Sequence, residues 1–342
     1  MAICFLLRAG YAVTRADHLT WPDESTYVTI LAGNLAAGHG YTIHPENGPE
    51  VTEFPPVWPF LLAGLQSLGL TSLIAARLLN VLIGTAGAYG IYLAGLEAGR
   101  QAVPGREELL ARWALFLYAV SPTLVYYAGT LLLETFFVTM IAWACWLALR
   151  WFAAPTRANS FWLGLELGLA ALVKNIAYPL AWAFLLLAAA AALRRRARWS
   201  AVAVLLFALY LVWTPWLVRN YFICGSFTFT AQSGYTLYEA NNPEADGGPR
   251  RPGLVYPRED EIRRLPEVER NLAWRQAAVD WIRANPDRFL ALAARKFARL
   301  WNPVPNFAAF SASRFIWWVS LGWNLPLYAL ALAGMALGLR RW

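Results

Sequence analysis

Long apolar segments are the feature that most constrains how this chain folds. A helix that crosses a bilayer needs about 20 predominantly apolar residues, whereas a soluble domain breaks its apolar runs with polar faces. Of the 342 residues, 58% are hydrophobic and only 15% are charged, which is more apolar surface than one soluble core hides. The sequence therefore predicts an all-α integral membrane protein with about eight transmembrane helices. The apolar segments fall at about 1–16, 72–96, 113–130, 132–150, 160–173, 176–193, 199–217 and 316–339.

The first of these segments has some features of a secretory signal peptide. Arg8 interrupts its apolar centre, however, and no small-residue cleavage pattern follows it. We therefore interpret residues 1–16 as the first membrane span.

Arginine clusters in the short loops set the orientation of the predicted spans. Cytoplasmic loops carry an excess of Lys and Arg, and all of the clusters fall on one side if the N-terminus is cytoplasmic. We therefore expect both termini on the cytoplasmic side of the inner (cell) membrane. The same juxtamembrane placement accounts for the net charge of +8 without nucleic-acid binding. The clusters are Arg100, Arg106 and Arg112; Arg150 and Arg157; Arg194, Arg195, Arg196 and Arg198; and Arg340 and Arg341.

This orientation divides the chain into three parts. Residues 1–218 form a transmembrane module whose first outer loop is 17–71, and residues 219–315 form an outward segment. Residues 316–342 form the final transmembrane helix and a cytoplasmic end. Within the first outer loop, the proline-containing stretch 55–70 is too short for a span, so we predict a juxtamembrane helix there.

The outward segment is predicted to combine an irregular loop with surface helices. Gly, Pro, Asn and Arg dominate residues 239–258, as is typical of irregular loops. Residues 267–301 have the apolar spacing of two amphipathic helices, broken at Asn285-Pro286. Such helices favour the membrane surface.

Ionisable side chains gather at the predicted outer ends of the spans. Glu134 and Lys174 occupy successive outer turns, and Asp23 opens a helix in the first loop. Arg77 lies just inside its span, and Arg219 follows the last central span. Each has an ordinary structural explanation, namely a helix N-terminal cap for Asp23 and interfacial pairing or snorkelling for the cations. Charges at membrane depth are costly, however, and usually have a partner or a function.

Together these charges suit a substrate with an anionic head and a lipid tail. Cations hold a phosphate and stabilise the charge that develops when it leaves. A carboxylate within reach of an acceptor hydroxyl takes its proton. The predicted reaction is group transfer from a phospholipid carrier to a hydroxyl outside the cytoplasm.

Histidines in the first loop raise the question of a metal cofactor. His18, His39 and His44 share this loop with Glu46 and Glu53. Histidine and carboxylates are common metal ligands, so a divalent metal stays open as a cofactor. The spacing matches no compact ligand motif, and solvated loop histidines are the ordinary interpretation. We therefore assign no metal-ligating residue.

Short motifs, each weak alone, follow one another in a fixed order along most of the chain. They are PDESTY at 22–27, NLAAGHGY at 34–41, PPVWP at 55–59, ARLLN at 76–80, LET at 133–135, RNY at 219–221, NNP at 241–243 and WIRANP at 281–286. Their order and spacing resemble the glycosyltransferase C superfamily, specifically the bacterial relatives of protein O-mannosyltransferases and of the lipid A aminoarabinose transferase.

The resemblance implies an inverting glycosyltransferase that uses a polyprenyl-phosphate-linked sugar. Asp23 would be the general base or the residue that orients the acceptor, and Glu134 would support the acceptor or a basic partner. The acceptor would be a glycolipid, a protein or a polysaccharide. The donor phosphate would contact Lys174, Arg77 and Arg219, and further substrate contacts would come from Glu24, Tyr27, Glu53, Asn241 and Asn242.

One position departs from the family pattern. Relatives commonly carry Lys or Arg directly before the Pro55-Pro56 motif, where this chain has Phe54. Either one of the three cations named above holds the phosphate instead, or the donor is bound in a different way. The alternative hypotheses are a membrane transporter or lipid flippase, and a non-catalytic relative of the family. Transporters usually place their charges near the midplane on repeated, broken helices, a pattern that this sequence lacks.

Overall fold

The computed structural model describes residues 1–15, 18–19, 21–48, 50, 54–251, 253–306 and 313–339. Every regular element within these ranges is a helix, which confirms the all-α prediction. The chain divides into two compact units, Met1–Phe229 and Thr230–Trp342. The boundary between the two units lies within the outward segment predicted at residues 219–315.

Most helices in both units are joined by short connections. The first unit contains α1 (Ala2–Val13), α2 (Pro22–Ser25), a π-helical segment (Thr26–Leu31), α3 (Ala32–Ala36), a 3-10 helix (Pro45–Asn47), α4 (Val57–Ser67), α5 (Leu73–Ala102), α6 (Glu107–Val120), α7 (Pro122–Ala128), α8 (Glu134–Ala153), α9 (Arg157–Val173), α10 (Ala177–Leu193) and α11 (Trp199–Cys224). The second unit contains α12 (Ser233–Ala240), α13 (Glu259–Arg263), α14 (Glu267–Ala284), α15 (Pro286–Leu300) and α16 (Arg314–Leu339).

Local chemistry explains where several helices begin and end. The Ser72 hydroxyl accepts a hydrogen bond from the Ala75 N–H at 3.3 Å and so caps the start of α5. Gly225 ends α11 in the left-handed conformation, with φ of 68°, which glycine adopts without a Cβ clash. The predicted helix within 55–70 is confirmed as α4, and the predicted irregular loop largely coincides with the segment between α12 and α13.

Four of the described helices are long and apolar enough to cross a membrane, namely α5, α8, α11 and residues Arg314–Ala336 of α16. Together, α6 and α7 meet the same criterion, but they are bent by 56° at their junction and would form a fifth, broken span. The helices α1, α9 and α10 coincide with predicted spans but contain only 12, 17 and 17 residues. Length and composition therefore indicate membrane integration, whereas eight spans are not confirmed.

In the first unit, α9 and α11 approach each other closely. Gly164 and Gly168 lie one turn apart on α9, facing α11. A Cβ atom on Gly164 would lie 2.6 Å from the carbonyl oxygen of Leu205, and one on Gly168 would lie 3.0 Å from the Val212 side chain. Small residues at this spacing let two membrane helices pack backbone to backbone. The two helices therefore form a tightly packed pair.

The second unit has a small aromatic core that includes Tyr238, Tyr256 and Trp274, with ring centres of Tyr238 and Trp274 4.8 Å apart. Beside it, the buried carboxylate of Glu259 accepts two hydrogen bonds from Arg250, both at 2.9 Å. Burial alone would raise the pKa of Glu259, but the hydrogen bonds from Arg250 and from the Tyr256 N–H hold it at about 2. The ionised carboxylate therefore ties the loop that contains Arg250 to the aromatic core.

The predicted pair of helices broken at Asn285-Pro286 is confirmed as α14 and α15, which meet at Asn285. On one side of α15, the Lys296 ammonium donates to the Asn241 Oδ1 at 2.9 Å. Elsewhere on the helix, Leu290 and Phe297 are exposed. This helix therefore combines a polar side that contacts its own unit with an exposed apolar side.

Candidate functional site

The turn 129–131, which precedes Glu134, is held by side chains from two other helices. Arg77 and Asn80 on α5 donate to the first and second carbonyl oxygens of this turn, at 2.9 and 2.7 Å. Trp58 on α4 donates its indole N–H to the third carbonyl oxygen at 2.8 Å. Because these backbone groups need partners when they are buried, the three side chains fix the position from which α8 begins.

Glu24 holds the same turn from the first loop. Its carboxylate is fully buried and accepts the Leu131 N–H at 2.9 Å and the Trp21 N–H at 3.2 Å. The second bond is part of a capping box, in which the third residue of a helix satisfies the backbone N–H of the cap residue. Glu24 therefore anchors the loop to the helices. This position differs from the substrate contact expected from the sequence, since both carboxylate oxygens serve backbone groups.

Asp23, the neighbour of Glu24, has a side chain that is exposed overall, although its carboxyl is partly shielded from water and lies near Glu134. Partial burial raises the pKa of the Asp23 carboxyl, and the negative charge of Glu134 raises it further. Glu134 in turn accepts a hydrogen bond from the Lys174 ammonium at 2.8 Å. The structure therefore brings these three predicted residues together at one end of the first unit, with two carboxylates and one ammonium.

A π-helical segment, Thr26–Leu31, follows α2 directly. Such turns are rare and occur frequently at functional sites. Tyr27, in this segment, is buried against Phe54, with ring centres 5.0 Å apart. Burial, followed by the negative charge of Asp23, raises the pKa of Tyr27 well above its ordinary value. The phenol therefore stays protonated beside the two carboxylates.

An apolar groove of about 500 Å³ runs between α4 and α11. Its lining includes Phe60 from α4 and Pro215, Trp216 and Arg219 from α11. The Arg219 guanidinium lies over the Trp216 ring, 4.8 Å from its centre, and donates to the Tyr41 carbonyl oxygen at 3.1 Å. An apolar groove lined by a guanidinium suits a molecule with an apolar tail and an anionic head.

Contacts through Tyr41 connect this groove with the carboxylates. The Tyr41 ring lies 5.1 Å from the Trp216 ring. Its hydroxyl donates to the Phe54 carbonyl oxygen at 2.8 Å, and the Phe54 ring packs against Tyr27. Groove and carboxylates are therefore parts of one continuous region of the first unit.

The three predicted phosphate-binding cations have different surroundings. Arg77 is fully buried and donates to the backbone carbonyls of His18 and Gly129. Lys174 is engaged with Glu134, and Arg219 borders the groove. Arg77 therefore holds the fold together, contrary to the expectation of a phosphate contact. Arg219 is the predicted cation that lies beside a space able to admit a lipid.

Asn241 and Asn242, expected to contact substrate, belong to the second unit and are buried. The Asn241 amide donates to the Leu237 carbonyl oxygen at 2.9 Å, and the Asn242 amide donates to that of Tyr238 at 2.8 Å. Both side chains therefore close the C-terminal end of α12. Glu53, the remaining expected substrate contact, lies outside the described residues.

The described residues contain no group of three or more His, Cys, Asp or Glu side chains that could hold a metal ion. His44 lies 3.6 Å from Glu46, and both side chains are exposed. This part of the chain therefore offers no candidate ligand set for a divalent metal.

Three residues that position the site were not singled out from the sequence. Trp58, Asn80 and Tyr41 entered only as members of motifs. Asn80 carried a usable signal, because an amide within an apolar helix is costly unless it is hydrogen bonded. The sequence does not reveal, however, that its partner is the turn before Glu134.

In comparisons with known proteins, no family model, curated protein or solved structure matches this chain. The features of the molecule that bear on its function are therefore the grouping of Asp23, Glu134 and Lys174 and the neighbouring groove.

Proposed function

We propose that this protein is a membrane glycosyltransferase of the glycosyltransferase C type. It transfers a sugar from a polyprenyl-phosphate donor to an acceptor hydroxyl on the extracytoplasmic side of the membrane. The observation that carries the proposal is the meeting of Asp23, Glu134 and Lys174 beside an apolar groove that contains Arg219. The ordered series of family motifs supports the same assignment.

The groove provides a seat for the lipid part of such a donor. The apolar tail lies along Phe60 and Trp216, and the phosphate lies at the Arg219 guanidinium. Guanidinium groups bind phosphate through paired hydrogen bonds. Arg219 thereby replaces the cation that relatives carry at the position of Phe54.

Asp23 takes the proton of the acceptor hydroxyl. The acceptor oxygen forms a bond to the anomeric carbon as the bond from that carbon to the phosphate oxygen breaks. The polyprenyl phosphate leaves with the electron pair, and Arg219 stabilises its charge. The raised pKa of Asp23 favours this role, because a general base works best when its pKa approaches the working pH.

Glu134 and Lys174 position the base. The negative charge of Glu134 helps to keep the pKa of Asp23 raised. Lys174 holds the Glu134 carboxylate at 2.8 Å and so sets the distance between the two acids. The turn 129–131, which is held by hydrogen bonds, fixes the start of α8 and therefore the position of Glu134.

The proposal is tested with purified full-length protein and a panel of polyprenyl-phosphate sugars. The measured quantity is the release of free polyprenyl phosphate, with and without candidate glycolipid, protein and polysaccharide acceptors. We expect release with at least one sugar donor and dependence on an acceptor. Absence of release across the panel, or equal release by an Asp23→Asn variant, would overturn the proposal.

A further inference from the structure

A second pocket, unrelated to the site above, opens where α9 and α11 begin. It has a volume of about 780 Å³, within the range of roughly 300–1,000 Å³ that is usual for small-molecule sites. The 17 residues of α9 span about 25 Å at the rise of an α-helix. The pocket therefore lies at the opposite end of α9 from Lys174.

The lining of this pocket is strongly basic. Arg157 comes from the start of α9, and Arg195, Arg196 and Arg198 come from the connection between α10 and α11. The lining contains no Asp or Glu. Among the described residues, none of these four guanidiniums forms an ion pair. All four side chains are exposed, so water screens part of their mutual repulsion, and an anion from outside the chain would relieve the remainder.

The helix ends add to the positive potential. The first turns of α9 and α11 contain no acidic residue, although acidic side chains commonly offset the positive end of a helix there. Thr156 caps α9 by accepting the Asn159 N–H at 3.2 Å. No side chain caps α11, whose 26 residues are all described. The start of α11, where Arg198 and Ser200 line the pocket, therefore carries backbone N–H groups that no side chain caps.

The backbone of Arg195 has a left-handed conformation that is rare for a residue with a long side chain. Arg195 follows the end of α10 with φ of 58°, in the left-handed region. The Arg196 N–H donates to the Ala191 carbonyl oxygen at 2.8 Å, which is the pattern of a Schellman helix end. Glycine is the usual residue at this position because any Cβ is disfavoured there. A guanidinium therefore stands in the pocket where the backbone alone would favour glycine.

We propose that this pocket binds a phosphate group, the anion that guanidiniums and helix N-termini bind best together. An anionic phospholipid headgroup and a free phosphate share this chemistry. The surroundings favour the lipid: α11 is long and apolar enough to span a membrane, and the exposed side chains of Leu193 and Trp199 adjoin the arginines in the chain. Basic pockets between membrane helices bind such headgroups.

The test compares two single-charge variants of the full-length protein. Arg195→Gly removes a pocket guanidinium and suits the left-handed backbone, so the variant is expected to fold. Arg194→Gln removes one positive charge from the adjacent residue, which does not line the pocket. Each purified protein is equilibrated in micelles with phosphatidylglycerol or phosphatidylcholine, and the lipid retained is counted by native mass spectrometry.

We expect the unchanged protein and Arg194→Gln to retain phosphatidylglycerol at least fivefold over phosphatidylcholine, and Arg195→Gly to lose most of this preference. Arg196→Gln, a second pocket variant that leaves the backbone at 195 unchanged, should reproduce the loss. A parallel arm uses inorganic phosphate alone. Inorganic phosphate is also added in the lipid arm. If it binds measurably on its own but displaces little or none of the retained lipid, the lipid is the tighter ligand.

The outcomes are decisive because both variants change the net charge equally. Preference for phosphatidylglycerol that depends on Arg195 supports a lipid ligand, and binding of inorganic phosphate alone that depends on Arg195 supports a soluble one. Equal behaviour of Arg195→Gly and Arg194→Gln in both arms would overturn the site. The arginines would then serve only the orientation of the chain in the membrane.

Discussion

The positive charges at the two ends of α9 differ in whether an acidic side chain pairs with them. At the C-terminal end, the Lys174 ammonium has a carboxylate partner, Glu134, at 2.8 Å. At the N-terminal end, Arg157 shares a pocket with three further arginines and no acidic lining residue. The charges at the first end therefore position each other, whereas those at the second end have no ion-pair partner among the described residues and fit the proposed anion site.

The largest expected effect is a loss of turnover when a carboxylate beside the Glu134–Lys174 pair is changed. Asp23→Asn should lower sugar transfer by about 10²–10⁴-fold, the usual contribution of a general base. The Asp23 side chain is exposed, so folding should be retained. Turnover of the variant and its melting temperature are measured together. Unchanged turnover would remove Asp23 from the reaction.

Arg219→Ala should weaken donor binding at the groove by about tenfold to a hundredfold, the worth of a hydrogen bond to a charged group. The effect should appear in the KM for the lipid donor more than in kcat. Arg112→Ala, an exposed arginine elsewhere in the first unit, is the matched control. An equal KM in both variants would show that Arg219 does not contact the phosphate.

Glu24→Gln should affect stability where Asp23→Asn does not. The amide cannot accept both backbone N–H groups that the carboxylate accepts, and a buried donor left unsatisfied costs about 1–3 kcal/mol. We expect a lower melting temperature by thermal unfolding in micelles. If Glu24→Gln and Asp23→Asn melted alike, the division of labour between the two neighbouring acids would be wrong.

Two substitutions compare the contribution of the charges at the two ends of α9 to stability, and both effects should be small. Lys174→Met breaks a pair that is about one-third exposed, so solvent screening limits the loss of stability to about 1 kcal/mol or less. Arg196→Gln removes a cation with no ion-pair partner among the described residues and should change stability by less than about 0.5 kcal/mol. A larger loss for Arg196→Gln would contradict the contrast between the ends.

The pH dependence of transfer gives the finest test. The pKa of Asp23 is raised in part by Glu134, and a general base is active only when deprotonated. The acid limb of the pH–rate profile should therefore lie above the ordinary range of an aspartate. In Glu134→Gln the repulsion is absent, the pKa of Asp23 falls, and the limb should move to lower pH. Movement in the other direction would show that the two carboxylates are not coupled.

Much of the fold could be predicted because apolar length and helix-breaking residues are local signals. The break at Asn285-Pro286 and the helix within 55–70 are examples. Span number was harder to predict, since α9 and α10 have 17 residues each and their apolar runs resemble those of longer helices. Chain position alone does not distinguish a short helix from a complete crossing.

The candidate site shows the same limit for side chains. The grouping of Asp23, Glu134 and Lys174 follows from charges placed at helix ends. The burial of Glu24 and Arg77 does not, because it depends on contacts with a turn more than fifty residues away in the chain. A charged residue beside a motif looks the same in the sequence whether it binds a ligand or a backbone carbonyl.

The close approach at Gly164 and Gly168 has a mechanical consequence. Because the Gly164 backbone packs against the Leu205 carbonyl and Gly168 packs against the Val212 side chain, α9 and α11 can slide or separate only if these contacts are broken. Lys174 follows the end of one helix, and Arg219 lies near the same end of the other. The close helix contact at the two glycines therefore helps to set the separation between Lys174 and the apolar groove beside Arg219.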